Sequence, residues 1–234
     1  MTTQGCDPVE LSQRDYEVLK LVGTFGQLAS THITELIFAD RSHSVPDKVL
    51  GRLTAAKYLV RVGRRASGDK GGAGAYTYQL GRHGRALLDV DGRQTLNVNN
   101  HALMVADTYA ELRRAERLGV LALTDWAVER SVPPNVRADL AVSLDFPQQS
   151  RRSRYFLEID LGTERPTRIT EKVAGYWQAV EASTAEYFPY VVFVVRQQAR
   201  KNELARVFRR LPEEQQDMLR VCLMDELIPE LLRL

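Results

Sequence analysis

The sequence predicts an α+β fold with two domains, and three observations support this prediction. Residues 1–88 contain short segments with helical periodicity, followed by two short strands that flank a glycine-rich stretch. Residues 89–100 are polar and show no strong period, which is typical of a linker. Residues 101–234 alternate strands with helices, which predicts a second, α/β domain around a central mixed sheet.

Composition places the chain among ordinary globular proteins, and its charge is unevenly distributed. It has 234 residues, a hydrophobic fraction of 44% and a net charge of only +2. Between Arg41 and Arg85, however, ten basic residues stand against two acids, whereas residues 101–234 carry 19 basic and 20 acidic residues. Such a concentrated basic block is typical of a nucleic-acid-binding module. We find no signal peptide and no apolar stretch long enough for a bilayer, so we expect a cytoplasmic protein.

Three helices are predicted in the first domain, over residues 12–22, 31–38 and 45–58. Ser12 is the expected N-cap of the first helix, and Gly23 and Gly26 end it. A tight turn separates the second helix from the third, as in a helix-turn-helix. The buried stripe of the third helix is expected at Val49, Leu53, Ala56 and Val60.

The segment after the third helix predicts a β-hairpin. Residues 59–62 and 76–80 have the composition of strands, residues 64–75 between them are basic and rich in glycine, and a short helix follows over 81–88. Together with the three helices, this hairpin predicts a winged helix-turn-helix that binds double-stranded DNA, with the third helix in the major groove. The alternative is that the charges only solvate a small helical domain. The candidate DNA-binding residues are Arg41, Ser42, His43, Ser44, Lys48, Arg52, Arg64, Arg65 and Lys70.

Other site types are disfavoured by the spacing of their residues. The glycines of 68–74 lack the order of a Walker phosphate loop and fit the tip of a wing. The cysteines, Cys6 and Cys222, and the four histidines complete no zinc pattern, and Cys222 is expected in the core. The chain contains no His-x-His, which argues against a relaxase with a tyrosine nucleophile.

The second domain is predicted to begin with a long amphipathic helix over 101–118, and a further helical turn or two is expected over 125–130. Downstream, strands and helices alternate. The predicted strands are 139–144, 155–161, 190–195 and 218–223, and the predicted helices are 167–182, 202–211 and 225–234.

Three acidic residues lie on two of these strands. Glu158 and Asp160 are two residues apart, so we expect them on one face of their strand, with Asp139 on another strand. Carboxylates arranged in this way suit Mg²⁺ or Mn²⁺, which can activate water for attack on a phosphodiester. Lys172, on the following helix, is a candidate stabiliser of phosphate charge, with Tyr176 one turn further on. The alternative is a surface strand whose acids pair with Arg137, Arg165 or Arg168.

Several motifs in this order resemble the replication-relaxation family of actinobacterial mobile elements and phages. They are 52–61, 76–84, His101 at the start of the long helix, 136–139 and 156–164, followed by Lys172 and Tyr176. The resemblance spans about residues 12–200 and implies a winged helix joined to a nuclease-like domain.

The second domain also resembles the PD-(D/E)xK nucleases, which have a restriction-endonuclease-like fold. This resemblance implies that Asp139, Glu158 and Asp160 are the metal ligands and, with Lys172, the catalytic residues. Asp160 stands where these nucleases have lysine, so either Lys172 supplies the amine or catalysis has been lost.

Two functions follow from these observations. One is a DNA-binding protein of a plasmid, integrative element or phage that nicks DNA with Mg²⁺ or Mn²⁺ in replication or transfer. The other is a non-catalytic regulator of transcription or replication whose nuclease-like domain serves dimerisation or partner binding. The apolar segment 221–234 is either the surface of such a homodimer or part of the core.

Overall fold

The computed structural model describes residues 10–42, 44–65, 74–91, 95–185 and 187–234. The chain divides into two compact units, Met1–Ala110 and Glu111–Leu234, here called unit 1 and unit 2. This division falls inside a long helix, whereas the predicted second domain began at 101. Across the described residues, no helix is both long and apolar enough to cross a bilayer.

Unit 1 combines helices with a small antiparallel sheet. Its elements are α1 (Gln13–Phe25), β1 (Leu28–Ala29), α2 (Ser30–Ile37), α3 (Ser44–Ala55), β2 (Leu59–Arg64), β3 (Tyr76–Leu80), α4 (Arg82–Leu88) and the first part of α5 (Asn100–Arg117). The sheet has the order β1-β3-β2, so β3 is its central strand. The predicted cap of α1 is confirmed, because Ser12 and Asp15 form a reciprocal capping box.

The buried stripe of α3 differs from the predicted one. Pro46, Leu50 and Leu53 are buried, whereas Val49 is only half-buried. The helix also ends at Ala55, because Lys57 adopts a left-handed backbone conformation with φ of 60°. The prediction was therefore correct at Leu53 and wrong in placing Ala56 and Val60 on a continuing helix. Lys48 and Arg52 lie outside the buried stripe, as predicted, and are exposed.

The segment between α4 and α5 was predicted to be a linker, and its residues 95–99 are hydrogen-bonded to other parts of unit 1. Gln79 of β3 donates to the Thr95 carbonyl at 2.9 Å, and Gln27 donates to the Asn97 carbonyl at 3.0 Å. The backbone amide of Asn99 in turn donates to Gln27 at 2.8 Å. These bonds attach residues 95–99 to the small sheet of unit 1.

Unit 2 is built around a five-stranded mixed sheet with helices. After the end of α5 it contains β4 (Ala122–Val132), β5 (Val136–Phe146), β6 (Arg151–Asp160), α6 (Pro166–Ala182), β7 (Tyr190–Val195), α7 (Gln198–Phe208), α8 (Glu213–Asp217), β8 (Leu219–Leu223) and α9 (Leu227–Arg233). The strand order is β4-β5-β6-β7-β8. The first three strands are antiparallel, and β6, β7 and β8 are parallel. The predicted α+β class with a mixed sheet is therefore confirmed.

Two cores flank this sheet. Against α6 and α7 lie Val136, Ala138, Phe193 and their neighbours. On the opposite face, the Tyr155 hydroxyl donates to the Leu231 carbonyl at 3.2 Å. The apolar end of the chain contributes to this second core, because Leu227 and Leu231 are fully buried. Cys222 is also buried, as predicted.

The helical turn predicted over 125–130 is wrong. These residues belong to β4, a long edge strand that pairs with β5 over its length. The burial pattern of β4 does not alternate cleanly, because its register shifts between Leu123 and Asp125 and Glu129 has a positive φ of 52°. Such bulges interrupt the period of two that identifies a strand in sequence.

Candidate DNA-binding surface and carboxylate–lysine site

The outer face of α3 presents polar side chains. Ser44, Asp47, Lys48 and Arg52 are all exposed. Within the part of the chain that the structure describes, Lys48 forms no ion pair, so its ammonium is available to a ligand. Before the helix, Arg41 pairs with its neighbour Asp40 at 3.2 Å, and both side chains are exposed.

Arg52, a candidate DNA contact, also holds α3 to α1. Its guanidinium donates to Asp15 at 2.6 Å, and the Asp15 carboxylate is 1% exposed. Burial alone would raise the pKa of Asp15, but hydrogen bonds from Arg52 and Ser12 outweigh it, and the pKa is lowered. Arg52 therefore has a structural role in addition to any contact with a ligand.

The β2–β3 hairpin carries a cluster of arginines and tyrosines. The Arg64 guanidinium lies 3.8 Å from the Tyr76 ring centroid, and that of Arg61 lies 4.5 Å from the same centroid. Arg61 also donates to the Tyr78 hydroxyl at 3.3 Å. Arg61 was not among the predicted DNA-binding residues. Its position on β2, beside the tyrosines of the returning strand, was the signal that could have identified it.

Arg65 was predicted to contact DNA, and the structure gives it a partner in unit 1. It forms a two-pronged ion pair with Asp107 of α5, at 2.7 and 2.5 Å. His32 joins this pair, with its Nε2 at 2.8 Å from Asp107 and its Nδ1 accepting from the Ala29 amide. Burial would raise the pKa of Asp107, but His32 and Arg65 hold it far below its usual range.

The remaining predicted contacts of unit 1 lie near the start of α3 or outside the described residues. The Ser42 and Ser44 hydroxyls are 3.4 Å apart. His43 and Lys70, together with most of the glycine-rich stretch, lie outside the residues that the structure describes.

In unit 2, Glu158 lies at the centre of a buried polar cluster, here called the carboxylate–lysine site. Its side chain is 1% exposed and accepts hydrogen bonds from the Lys172 ammonium and the Tyr176 hydroxyl, both on α6. Lys172 and Tyr176 reach it together because they lie four residues apart, one turn of α6, on the face toward the sheet. Each carboxylate oxygen of Glu158 thus has its own donor.

Asp139 of β5 completes this site. Its Oδ2 lies 3.8 Å from the Lys172 ammonium and accepts the Ile159 amide at 2.7 Å. That bond fixes the carboxylate beside the strand that carries Glu158. Asp139, Glu158 and Lys172, three of the four predicted catalytic residues, are therefore brought together by β5, β6 and α6.

Electrostatics in the site follow from this burial. Burial raises the pKa of Glu158 to about 8, and the nearby charge of Asp139 acts in the same direction, while Lys172 and Tyr176 oppose them. Burial alone would lower the pKa of Lys172, but the carboxylates of Glu158 and Asp139 outweigh it, and the pKa is raised. The Tyr176 hydroxyl has a strongly raised pKa because of its burial beside Glu158, so it remains a donor.

Asp160 has different partners. Its Oδ2 accepts from Arg200 of α7 at 2.8 Å, and its Oδ1 accepts the Gly162 amide at 2.6 Å. Arg200, itself 7% exposed, also pairs with Glu203 and donates to the Glu164 carbonyl. Asp160 is thus neutralised by a residue that the sequence reasoning did not consider. Because Arg200 is 40 residues away in the chain, no local pattern identifies this pair.

The surface alternative for these acids does not match the structure. Glu158 and Asp160 are 1% and 4% exposed. The arginines considered as partners include Arg137, which pairs with Glu129 at 3.2 Å, and Arg168, which pairs with Glu171 at 3.5 Å.

The donor set for a divalent cation is smaller than the sequence suggested. Among the residues that the structure describes, no three histidine, cysteine, aspartate or glutamate side chains are arranged to hold a metal ion. Asp139 and Glu158 remain, and two carboxylates with water and a substrate phosphate are a donor set that suits Mg²⁺.

Comparison with known proteins identifies the family of the chain. The model of the replication-relaxation family matches residues 19–191, a range that contains α2 and α3, the hairpin, Asp139, Glu158 and Lys172. The search of curated proteins and the search of solved structures each found no match. The family match covers well over half of the 234 residues, and the chain belongs to the replication-relaxation family.

Proposed function

We propose that this protein binds double-stranded DNA through unit 1, which acts as a winged helix-turn-helix, in the replication or transfer of a plasmid or other mobile element. Membership of the replication-relaxation family supports the role in replication or transfer. The binding of double-stranded DNA by unit 1 is supported by the arrangement of α2, α3 and the β2–β3 hairpin, in which the exposed polar face of α3 lies beside a basic hairpin. In such domains the exposed helix enters the major groove.

The two parts of this surface suit different contacts. Lys48 lies in the first half of α3 and is free to reach a base edge or a phosphate. Arg61 and Arg64 are held against Tyr76, which leaves their positive charge on the surface of the hairpin. Arginines on a wing suit phosphates or a narrow minor groove. Arg65 and Arg52 act mainly by holding the surface together, through Asp107 and Asp15.

The test is equilibrium binding of the full chain to fluorescein-labelled duplex DNA at several salt concentrations. Lys48→Glu should weaken binding at least tenfold and reduce the dependence of affinity on salt by about one ion, since each phosphate contact contributes about one. The matched control is Lys20→Glu, which makes the same charge change on an exposed position of α1. Equal loss in both variants would refute binding through α3.

We further propose that unit 2 is a nuclease-like domain that nicks DNA with Mg²⁺ or Mn²⁺. The supporting observation is that Lys172 contacts both Asp139 and Glu158, so an amine lies beside the carboxylates although the strand carries Asp160 at the usual lysine position. Asp139 and Glu158 would hold the cation, which would lower the pKa of a bound water molecule and stabilise the negative charge of the phosphate. Lys172 would then face the phosphate, and Tyr176 would orient Glu158.

Nicking is tested with supercoiled plasmid, Mg²⁺ or Mn²⁺, and an EDTA control. Glu158→Ala and Asp139→Ala should abolish metal-dependent nicking and leave duplex affinity unchanged. Glu171→Ala is the matched control, because Glu171 is an exposed carboxylate of α6 that pairs with Arg168 outside the carboxylate–lysine site. A plasmid that is retarded but intact in every lane would instead support the second candidate, a regulator of transcription or replication that retains the nuclease-like domain without its chemistry.

A further inference from the structure

A groove runs along unit 2 next to the carboxylate–lysine site. It has a volume of about 520 Å³ and lies over the β4–β5–β6 part of the sheet, where Ser183, Ala185 and residues 187–189 bound it. Its floor is formed by Ala127, Ala141 and Phe156, which are aligned across the three strands. The volume matches that of sites for small ligands or for a nucleotide or two.

The groove is lined by arginines. Arg130 and Arg154 are exposed and, among the residues that the structure describes, neither forms an ion pair. Arg152 also lines the groove and pairs with Asp145 at 2.6 Å. Asp125 is the acid among the described lining residues, so the groove carries a net positive charge. This charge favours a polyanion.

Aromatic side chains lie at the opposite wall. Tyr187 is 49% exposed, and its ring centroid lies 6.4 Å from that of Tyr190 in an edge-on arrangement. Phe188 lies against Phe156 with ring centroids 5.8 Å apart. An exposed tyrosine that packs against another ring is a platform for stacking, and the two phenylalanines add apolar surface to the groove.

Side-chain contacts connect the lining of the groove to Glu158. Phe156 lines the groove and stacks on Tyr176, with centroids 5.5 Å apart, and the Tyr176 hydroxyl donates to Glu158. Arg154, Phe156 and Glu158 alternate along β6, so their side chains lie on the same face of the strand. The carboxylate–lysine site therefore lies further along the same face of β6, where Lys172 and Tyr176 cover Glu158.

We propose that this groove binds single-stranded DNA beside the carboxylate–lysine site. Arg130 and Arg154 contact backbone phosphates, and a base stacks on Tyr187. Binding of this kind combines positive charge with aromatic stacking and tolerates different sequences. The inference rests on the proposal that the protein acts on DNA, but it concerns unit 2, whereas duplex binding is assigned to α3 and the hairpin of unit 1.

The experiment measures binding of fluorescein-labelled dT12 and of a labelled duplex to the full chain in EDTA. The variants are Arg130→Glu/Arg154→Glu, Tyr187→Ala and Tyr187→Phe, and the control is Arg210→Glu, which reverses an exposed arginine that does not line the groove. The double reversal and Tyr187→Ala should each weaken dT12 binding about tenfold or more, whereas Tyr187→Phe keeps the ring and should stay within about twofold. In all of these variants the affinity for the duplex should change by less than about twofold.

The possible outcomes separate this inference from the duplex proposal. Failure of the wild-type chain to bind dT12, with duplex binding intact, would overturn the groove and leave unit 1 untouched. Equal loss of dT12 binding in Arg210→Glu would also overturn it, because charge alone would then account for the effect. Tighter binding of the ribonucleotide U12 than of dT12 would overturn the assignment to DNA. Loss of duplex binding in Lys48→Glu, with dT12 binding unchanged, would support both proposals.

Discussion

Replacing Lys172 with methionine should destabilise unit 2, and by more at high pH than at low pH. Methionine keeps most of the side-chain volume at a position that is 24% exposed, but it removes the charge that neutralises Glu158. Burial holds the pKa of Glu158 at about 8 in the wild type, and removal of Lys172 raises this pKa further. At pH 6 the carboxyl is therefore protonated in both folded proteins, and the variant loses one hydrogen bond, about 1 kcal/mol.

At pH 9 the folded wild type has largely released the Glu158 proton and keeps a paired charge. The folded variant either retains the proton or holds a buried carboxylate without its ammonium partner, and both states are less favourable at this pH than the wild-type pair. Between these pH values the folded variant binds more protons than the folded wild type, so its stability falls more steeply as the pH rises. The difference in free energy of unfolding between the two proteins should therefore grow from pH 6 to pH 9 by up to about 1.4 kcal/mol, because pH 9 lies one unit above the wild-type pKa of about 8.

Urea unfolding followed by tryptophan fluorescence in EDTA measures this difference. Both tryptophans, Trp126 and Trp177, lie in unit 2 and are half-buried, so the signal reports the unit that contains the site. Arg168→Met is the control on the same helix, because its exposed pair with Glu171 should contribute less than about 0.5 kcal/mol. An equal cost of Lys172→Met at both pH values would refute the account of Glu158, and addition of Glu158→Gln to the variant should remove the pH dependence.

Three further predictions concern other parts of the chain. Asp160→Asn should lower the free energy of unfolding of unit 2, measured in urea, by about 2 kcal/mol, because it removes a charged partner of the buried Arg200. Unchanged stability would show that this ion pair does not stabilise unit 2. Gly81→Ala should lower the thermal midpoint measured by circular dichroism, because a Cβ at Gly81 would lie 2.2 Å from the Lys57 carbonyl oxygen. Gly51→Ala, in open space on α3, should raise the midpoint slightly. Equal shifts in the two variants would contradict this packing. In a Cys6→Ser background, Cys222 should resist thiol reagents at pH 8, because burial raises its pKa to about 12, and complete reaction within minutes would show that it is accessible.

Much of the architecture was predictable because regular periods identify elements. The continuous apolar run of β7 and the helical face of α6 appear directly in the sequence, and both are buried as expected. β4 was misassigned because its bulges, including the positive φ of Glu129, break the alternation that would identify a strand. The buried stripe of α3 was predicted to continue too far along the chain, because the helix ends before the left-handed turn at Lys57. Helix propensity alone does not reveal such a turn.

The chemistry of the sites was predictable only where partners are close in sequence or where the family motif links them. Glu158 and Lys172 were assigned to one candidate site because the helix that carries Lys172 follows the strand that carries Glu158, and the structure brings the two side chains together. The partners of Arg65 and Asp160 were not foreseen, since Asp107 and Arg200 lie 42 and 40 residues away and reach them through tertiary packing. A charged residue in a sequence is therefore a candidate for a ligand contact until its partner in the fold is known.

Hydrogen exchange of the full chain with and without duplex DNA tests the central claim most directly, because it locates the bound surface. We predict that duplex DNA slows amide exchange in α3, residues 44–55, and in the strands of the hairpin, 59–64 and 76–80, while α6 and β7 of unit 2 change little. Protection confined to residues 111–234, or no protection at a DNA concentration that saturates binding, would contradict the assignment of duplex binding to unit 1.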